Sequence, residues 1–260
     1  MKEKIIIKSP KQIEGIRKAS NLTARTLDMI GEFVKAGIST EELDNICNEF
    51  ILKNGGISAC IGYHGFPKYT CISLNDTVCH GIPSKGQVLK EGDILNIDVT
   101  SIVDGYFGDA SRMFTVGEIT LKSDKLIKAA HDAWKIGIEQ IKPGNHFGDI
   151  GYYIARHVEP LGYSIVMDYT GHGVGINFHE APHVFHKAKK GSGEEIKPGM
   201  IFTVEPMINV GKHQSKLLKD NWTVKTKDGS FSAQWEHTIL VTETGYEILT
   251  KTDKDFGFKY

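Results

Sequence analysis

A shift of 107 residues, the distance from Asp98 to Glu205, lays one half of this chain over the other and points to a fold built from two copies of one unit. Val34-Lys35-Ala36-Gly37 falls on Ile141-Lys142-Pro143-Gly144, and a helix is expected after each. Asn54-Gly55 falls on Leu161-Gly162, where those helices should stop. LKEGDILNIDV (89–99) falls on IKPGMIFTVEP (196–206), so the lone acid of one apolar strand, Asp98, has Glu205 as its counterpart. A second pair follows: Asp109 in GYFGDASRMF and Glu236 in SAQWEHTILV are each the lone carboxylate of the next strand. A Lys-x-Gly before a strand is ordinary turn chemistry. Four carboxylates in paired positions are not.

The first copy is legible in detail. Asp104-Gly105 sits between two alternating runs, and this dipeptide tolerates the positive φ that a type I′ turn demands. With 104 and 105 as the loop, Val103 faces Tyr106, Ile102 faces Phe107 and Thr100 faces Asp109. Asp98 then shares a face with Thr100 and becomes the diagonal neighbour of Asp109, at roughly 7 Å or less between Cβ atoms. Two convergent carboxylates on apolar strands lose hydration and repel, so they persist with raised pKa values or with a cation between them. Asp228-Gly229 supplies the same turn dipeptide ahead of Glu236.

Around this hairpin the chain alternates helices and strands. Apolar periodicity predicts a helix over 10–35 behind Ser9-Pro10, and Ser39 with Glu42 predicts a second one running to about Asn54. Further helices are expected near 122–141 and 147–161, and strands over 57–116 and 165–249. The expectation is one α/β domain, 1–260, of two pseudo-symmetric halves at about 1–120 and 121–260. Their strands should form a shared curved antiparallel sheet with helices outside.

Thr170-Gly171-His172-Gly173-Val174-Gly175 adds an imidazole on backbone that glycine lets pass close to a neighbour. Alone, His172 reads as a satisfied loop histidine; beside four carboxylates it is the expected nitrogen ligand. The set Asp98, Asp109, His172, Glu205 and Glu236 is oxygen-rich, and the four cysteines show no CxxC spacing, so a thiolate zinc site is excluded. Four negative charges match two divalent ions, whose joint chemistry is metal-assisted hydrolysis. His80 in CHGIP and His179 in HEAP stand in similar contexts, one per half, and read as hydrogen-bond donors near the ligands or substrate. The remaining histidines read as surface or packing residues, His64 being the open case.

Charge narrows the partners. With 31 basic and 32 acidic residues the chain is not built to coat DNA or an anionic membrane. Its amino-terminal sequence, MKEKIIIKSPKQIEG, has an apolar run far short of a secretory segment, and no later run approaches a membrane span, so a cytoplasmic location is expected.

NIDVTSIVDGYFGDASRMF, GHGVG with His179-Glu180, FTVEPM, SAQWEHTILV and CIGYHGFPKYTCISLNDTVCHGIP closely resemble the type I methionine aminopeptidases, in order and over nearly the whole chain. The resemblance implies the pita-bread fold with internal pseudo-symmetry, and removal of the initiator methionine from nascent polypeptides when the next residue is small. It implies that Asp109 and Glu236 bridge two metal ions (Co, Mn, Fe, Zn or Ni), that His172 and Glu205 complete one, and that Asp98 completes the other. By the same pattern Glu205 handles the proton, His179 holds the scissile carbonyl and its oxyanion, and His80 contacts the substrate backbone and leaving group.

The resemblance also places Cys60, Tyr63, Phe66, Cys71, Phe178 and Trp222 around the methionine side chain, a polarizable apolar wall suited to a thioether. Relatives often carry Tyr in place of Phe66, so a hydroxyl is missing at the pocket mouth. Asn75, Thr77 and Ser232 match a monovalent-cation site. No room exists between His179 and Glu205 for the helical insertion of type II enzymes. Lys212, Lys216, Lys219, Lys225 and Lys227 form either a rim facing ribosomal RNA transiently or a solvated face, the commoner use of such a run. A monomer is expected by analogy.

Overall fold

The computed structural model describes residues 4–251. Its four helices begin where cap chemistry puts them. Helix α1 (Pro10–Ile30) starts at a capping box in which Ser9 Oγ accepts the Gln12 N–H and Gln12 Oε1 accepts the Ser9 N–H, with Pro10 in the first turn. Helix α2 (Thr40–Lys53) repeats this with Ser39 and Glu42. Helix α3 (Leu121–Ile138) is capped by Thr120, and α4 (Phe147–Val158) follows His146. Helix α1 stops at Ile30, short of the expected 35: residues 31–33 form a turn instead.

Among the described residues the strands form a nine-stranded sheet and two small three-stranded ones. The large sheet is antiparallel throughout and curls. Its centre is palindromic. The hairpin Ile94–Val103 with Tyr106–Thr115 abuts strand Glu236–Val241, which pairs with Ile201–Val204. The strands carrying Asp98 and Asp109 thus lie on one side of the junction, and those leading to Glu236 and Glu205 on the other.

The hairpin has the register that the turn dipeptide predicts: Val103 opposite Tyr106, Thr100 opposite Asp109, and Asp98 opposite Ser111. Asp104 (φ 51°) and Gly105 (φ 81°) both adopt the positive φ of a type I′ turn. Period-two alternation sorts the strand by face. Leu95, Ile97 and Val99 pack with Leu22, Leu27, Leu43 and Ile51 of α1 and α2 in one core cluster, each fully buried side chain contributing about 1.5–3 kcal/mol. Asn96 and Thr100 point the other way, as their bonds to Ser111 and Asp109 show. A second cluster joins α3 and α4 to Phe202, Val204, Ile239 and Val241. Helices therefore cover one face and polar residues gather on the other.

The second copy is not a simple hairpin like the first. Pro206 has no N–H to continue the ladder, and strand Ile201–Val204 ends just before Glu205. The chain then makes an excursion, Met207–Asn209 pairing with Ser232–Gln234, and Ser215–Leu217 with Val224–Thr226. Asp228-Gly229 closes a turn within this excursion, where Asp228 accepts the backbone N–H groups of Lys212 and Ser230. It does not join strand Ile201–Val204 directly to strand Glu236–Val241. Among the described residues no helix is long and apolar enough to cross a membrane.

Candidate metal centre

The four paired carboxylates and His172 converge on the uncovered face of the sheet, at the floor of a cleft of about 490 Å³. One ligand atom from each of Asp109, His172 and Glu236 lies within 4.8 Å of the others. His172 Nε2 is 3.5 Å from Asp109 Oδ2 and 3.7 Å from Glu205 Oε1. Asp98 adjoins them diagonally across the hairpin. Its Oδ1 is buried yet has no hydrogen-bond partner, which a buried carboxylate tolerates poorly unless a cation completes it.

Backbone and neighbours hold three of the donors, His172, Asp109 and Glu205. His172 Nδ1 lies 3.0 Å from the Gly173 carbonyl, which can only accept, so Nδ1 carries the proton and Nε2 presents its lone pair to the carboxylates. Thr100 Oγ1 donates to Asp109 Oδ1 at 2.8 Å. Thr203 Oγ1 donates to Glu205 Oε1 at 2.6 Å and accepts the His172 N–H at 3.0 Å, coupling the two candidate ligands. Gln234 Nε2 donates to Glu205 Oε2 at 3.2 Å. The Glu205 backbone N–H donates to Nε2 of the buried His186 at 3.0 Å.

The electrostatics follow from crowding acids in a dry place. Burial pushes Asp109 up to about 7 and Glu205 up to about 8, in the second case with added repulsion from Asp109. Burial, then repulsion from neighbouring carboxylates, raises Asp98 and Glu236 well above the usual range. Burial pulls His172 down to about 4, so its imidazole is neutral at pH 7. Without a cation this cluster stores protons; with one it offers hard oxygens and a neutral nitrogen, a donor set suited to Mn, Fe, Co, Ni or Zn.

The glycines around His172 are required by contact. A Cβ on Gly171 would sit 2.4 Å from the Thr203 carbonyl oxygen, and one on Gly173 would sit 2.2 Å from that of Ala181. Gly173→Ala is expected to cost about 1–3 kcal/mol by forcing these strands apart. It should also weaken divalent-ion binding because His172 moves with the backbone. Thermal unfolding and calorimetric titration with Mn would check both; unchanged ion affinity contradicts the second.

The residues expected around a methionine side chain lie together. Cys60, Phe66 and Cys71 form one buried cluster with Phe178, Trp222 and also Ile82, which the sequence reading did not single out. The Phe66 and Trp222 rings meet nearly at right angles with centroids 5.1 Å apart. Tyr63 contacts Phe178 at 4.6 Å and stacks on His179 at 5.2 Å. The His179 ring lies 4.0 Å from that of His172. His80, held at φ 55°, packs nearly perpendicular to the rings of Tyr169 (5.6 Å) and Trp222 (6.1 Å).

Several lining residues were missed. His183 borders the same cleft with Asp168, Tyr169, Thr170 and Met207, and sequence offered no period or spacing to mark them; His64, the open case, lines it too. Thr203 and Gln234 had a usable signal, since each lies two positions from a paired carboxylate and so on its face. Asn75 and Ser232 also meet: the Ser232 N–H donates to the Asn75 carbonyl at 2.8 Å, and Ser232 Oγ is buried without a hydrogen-bond partner. Thr77 begins the adjoining strand. Among the lysines, Lys212, Lys216, Lys219 and Lys227 are exposed, whereas Lys225 pairs with Asp76 at 2.8 Å.

Comparison with known proteins agrees with this geometry. Residues 14–243 match the profile of Metallopeptidase family M24. The methionine aminopeptidase of Escherichia coli K12 is 50% identical over 252 residues, 96% of either chain. The crystal structure of methionine aminopeptidase from Rickettsia prowazekii superposes with a TM-score of 0.94 at 48% identity, covering 95% of this chain and all of that one. Prolidase from Pyrococcus furiosus shares the fold, with a TM-score of 0.76 at 24% identity over 95% of this chain and 66% of its own. The chain belongs to metallopeptidase family M24, and within it to the methionine aminopeptidases.

Proposed function

We propose that this chain removes the N-terminal methionine of new polypeptides whose second residue is small, hydrolysing the first peptide bond with two divalent ions held by Asp98, Asp109, His172, Glu205 and Glu236. What carries the reading is the meeting of four carboxylates and one imidazole beside an apolar cluster in one cleft. As a metallopeptidase the chain uses divalent metal. The unpartnered oxygen of Asp98 and the neutral Nε2 of His172 fit such ions. Asp109 and Glu236 would be shared between the ions, His172 and Glu205 would complete one, and Asp98 would complete the other. When bound, the ions lower the pKa of water and polarise the scissile carbonyl.

The chain's own residues do the rest. Cys60, Tyr63, Phe66, Cys71, Phe178 and Trp222 bury the methionine side chain, an interaction of about 1.5–3 kcal/mol. His179, at the cleft rim, donates to the carbonyl oxygen as it gains negative charge. Glu205 takes a proton from the attacking water and returns it to the departing amine, whose peptide His80 contacts. Asn75, Thr77 and Ser232 are read as a monovalent-cation site, on the strength of the unpartnered Ser232 hydroxyl. One catalytic domain of two halves, 1–120 and 121–260, completes the reading; residues 1–3 and 252–260 of these halves lie outside the described range. A cytoplasmic monomer and transient contact with the ribosome surface through the exposed lysines belong to the same reading.

Substrate choice tests the proposal. With saturating divalent metal, Met-Gly-Met should be cleaved at least about a hundredfold faster than Ala-Pro, because only the thioether fills the pocket. Preference for Ala-Pro would replace this substrate assignment with a proline-directed one.

A further inference from the structure

Among the described residues, the imidazole of His179 makes ring contacts with Tyr63, His172 and Phe178 and no hydrogen bond. Its position therefore depends on the backbone that carries it. That backbone is the turn from Asn177 to Glu180, and its geometry is set from Glu180. Glu180 Oε2 accepts the Asn177 backbone N–H at 3.1 Å and its side-chain Nδ2–H at 3.3 Å. Glu180 Oε1 accepts from the Lys8 ammonium, 172 residues away in sequence. Both side chains are sealed from water, at 0% and 2% exposure.

An ion pair so enclosed is a poor source of stability, because desolvating two charges offsets their attraction. It is an effective source of position, because either charge left alone is costly and the pair admits few geometries. Lys8 is itself pinned, its backbone N–H donating to the Gly199 carbonyl at 2.9 Å in the turn before strand Ile201–Val204. The contact runs from the amino-terminal segment, through two buried charges, to the turn beside the candidate metal centre.

We infer that the buried Lys8–Glu180 pair is a positioning device for His179: it holds the 177–180 turn so that the imidazole meets the scissile carbonyl. This rests on the reading of His179 given above. Lys8 and Glu180 touch no reacting atom in this scheme. Their effect passes through the turn alone.

The test uses the full-length, metal-loaded protein and the paired variant Lys8→Met/Glu180→Leu. This replaces both charges with apolar groups of similar size, so no unpaired charge is buried and folding is preserved. The acceptor for Asn177 is nevertheless gone. The expected result is an unfolding temperature equal to or above wild type, with kcat on Met-Gly-Met lowered about 10- to 100-fold and KM within about threefold. With diamagnetic Zn as the loaded ion, the carbon-bound imidazole proton NMR signals of His179 are expected to be sharp in the wild-type protein and to broaden or split in the variant. A His179→Ala control separates the two levels of the argument. If that control loses turnover while the paired variant keeps wild-type kcat and sharp His179 signals, the positioning role is overturned. If His179→Ala turns over normally, the reading on which it rests falls instead.

Discussion

Glu205→Gln should lower kcat on Met-Gly-Met by about a thousandfold or more, with KM changed by less than about threefold. The substitution keeps volume and planarity but removes the ability to take up and release a proton. Proton transfer by a positioned carboxylate is worth about 10²–10⁴ in rate, and loss of an anionic donor to the metal adds to that. The fold should survive. Glu205 accepts from Thr203 on one oxygen and from Gln234 on the other, so the amide keeps one of these bonds directly. Thr203 can reverse its hydroxyl, since its proton is not committed elsewhere. Circular dichroism and unfolding temperature should match wild type to within a few degrees. Turnover within tenfold of wild type would remove Glu205 from the proton path.

The pairing of acids was legible in the sequence because it is a local property copied once. Asp104-Gly105 sets a register, period two sets a face, and Asp98 and Asp109 follow from both. Glu205 and Glu236 follow by repetition. What the sequence did not disclose depends on contacts between distant segments. Pro206 ends its strand for a local reason, yet the path of residues 207–234 is set by pairing with Ser164–Ile165 and Thr77–Cys79, far back in the chain. The same holds for Lys8 and Glu180, and for His186, an unremarkable histidine in sequence that accepts the Glu205 N–H. The glycines beside His172 announced a close approach but not what approaches: the carbonyls of Thr203 and Ala181.

Removing divalent ions with a chelator should abolish turnover and also reverse how stability responds to alkaline pH. In the metal-free protein Asp109 titrates at about 7 and Glu205 at about 8, with Asp98 and Glu236 raised further, chiefly because burial disfavours their charged forms. In the unfolded chain such groups release protons near pH 4. The folded metal-free state therefore holds protons that the unfolded state has lost, and their stabilising contribution declines as pH rises through these folded values. Buried histidines act oppositely. His172, His186 and His237 are pulled down to about 4, 3 and 3 by burial, so they favour folding increasingly up to the unfolded histidine value and are level above it. The carboxylates thus dominate between about pH 6.5 and about pH 8.5, where the unfolding temperature of the chelated protein should fall by at least about 5 °C. With saturating Mn the trend should flatten or invert, because ion binding needs the deprotonated carboxylates and strengthens as protons leave. Scanning calorimetry at the two pH values, with chelator and with Mn, makes the comparison. A metal-free protein equally stable at both would mean that these four acids do not share one enclosed site.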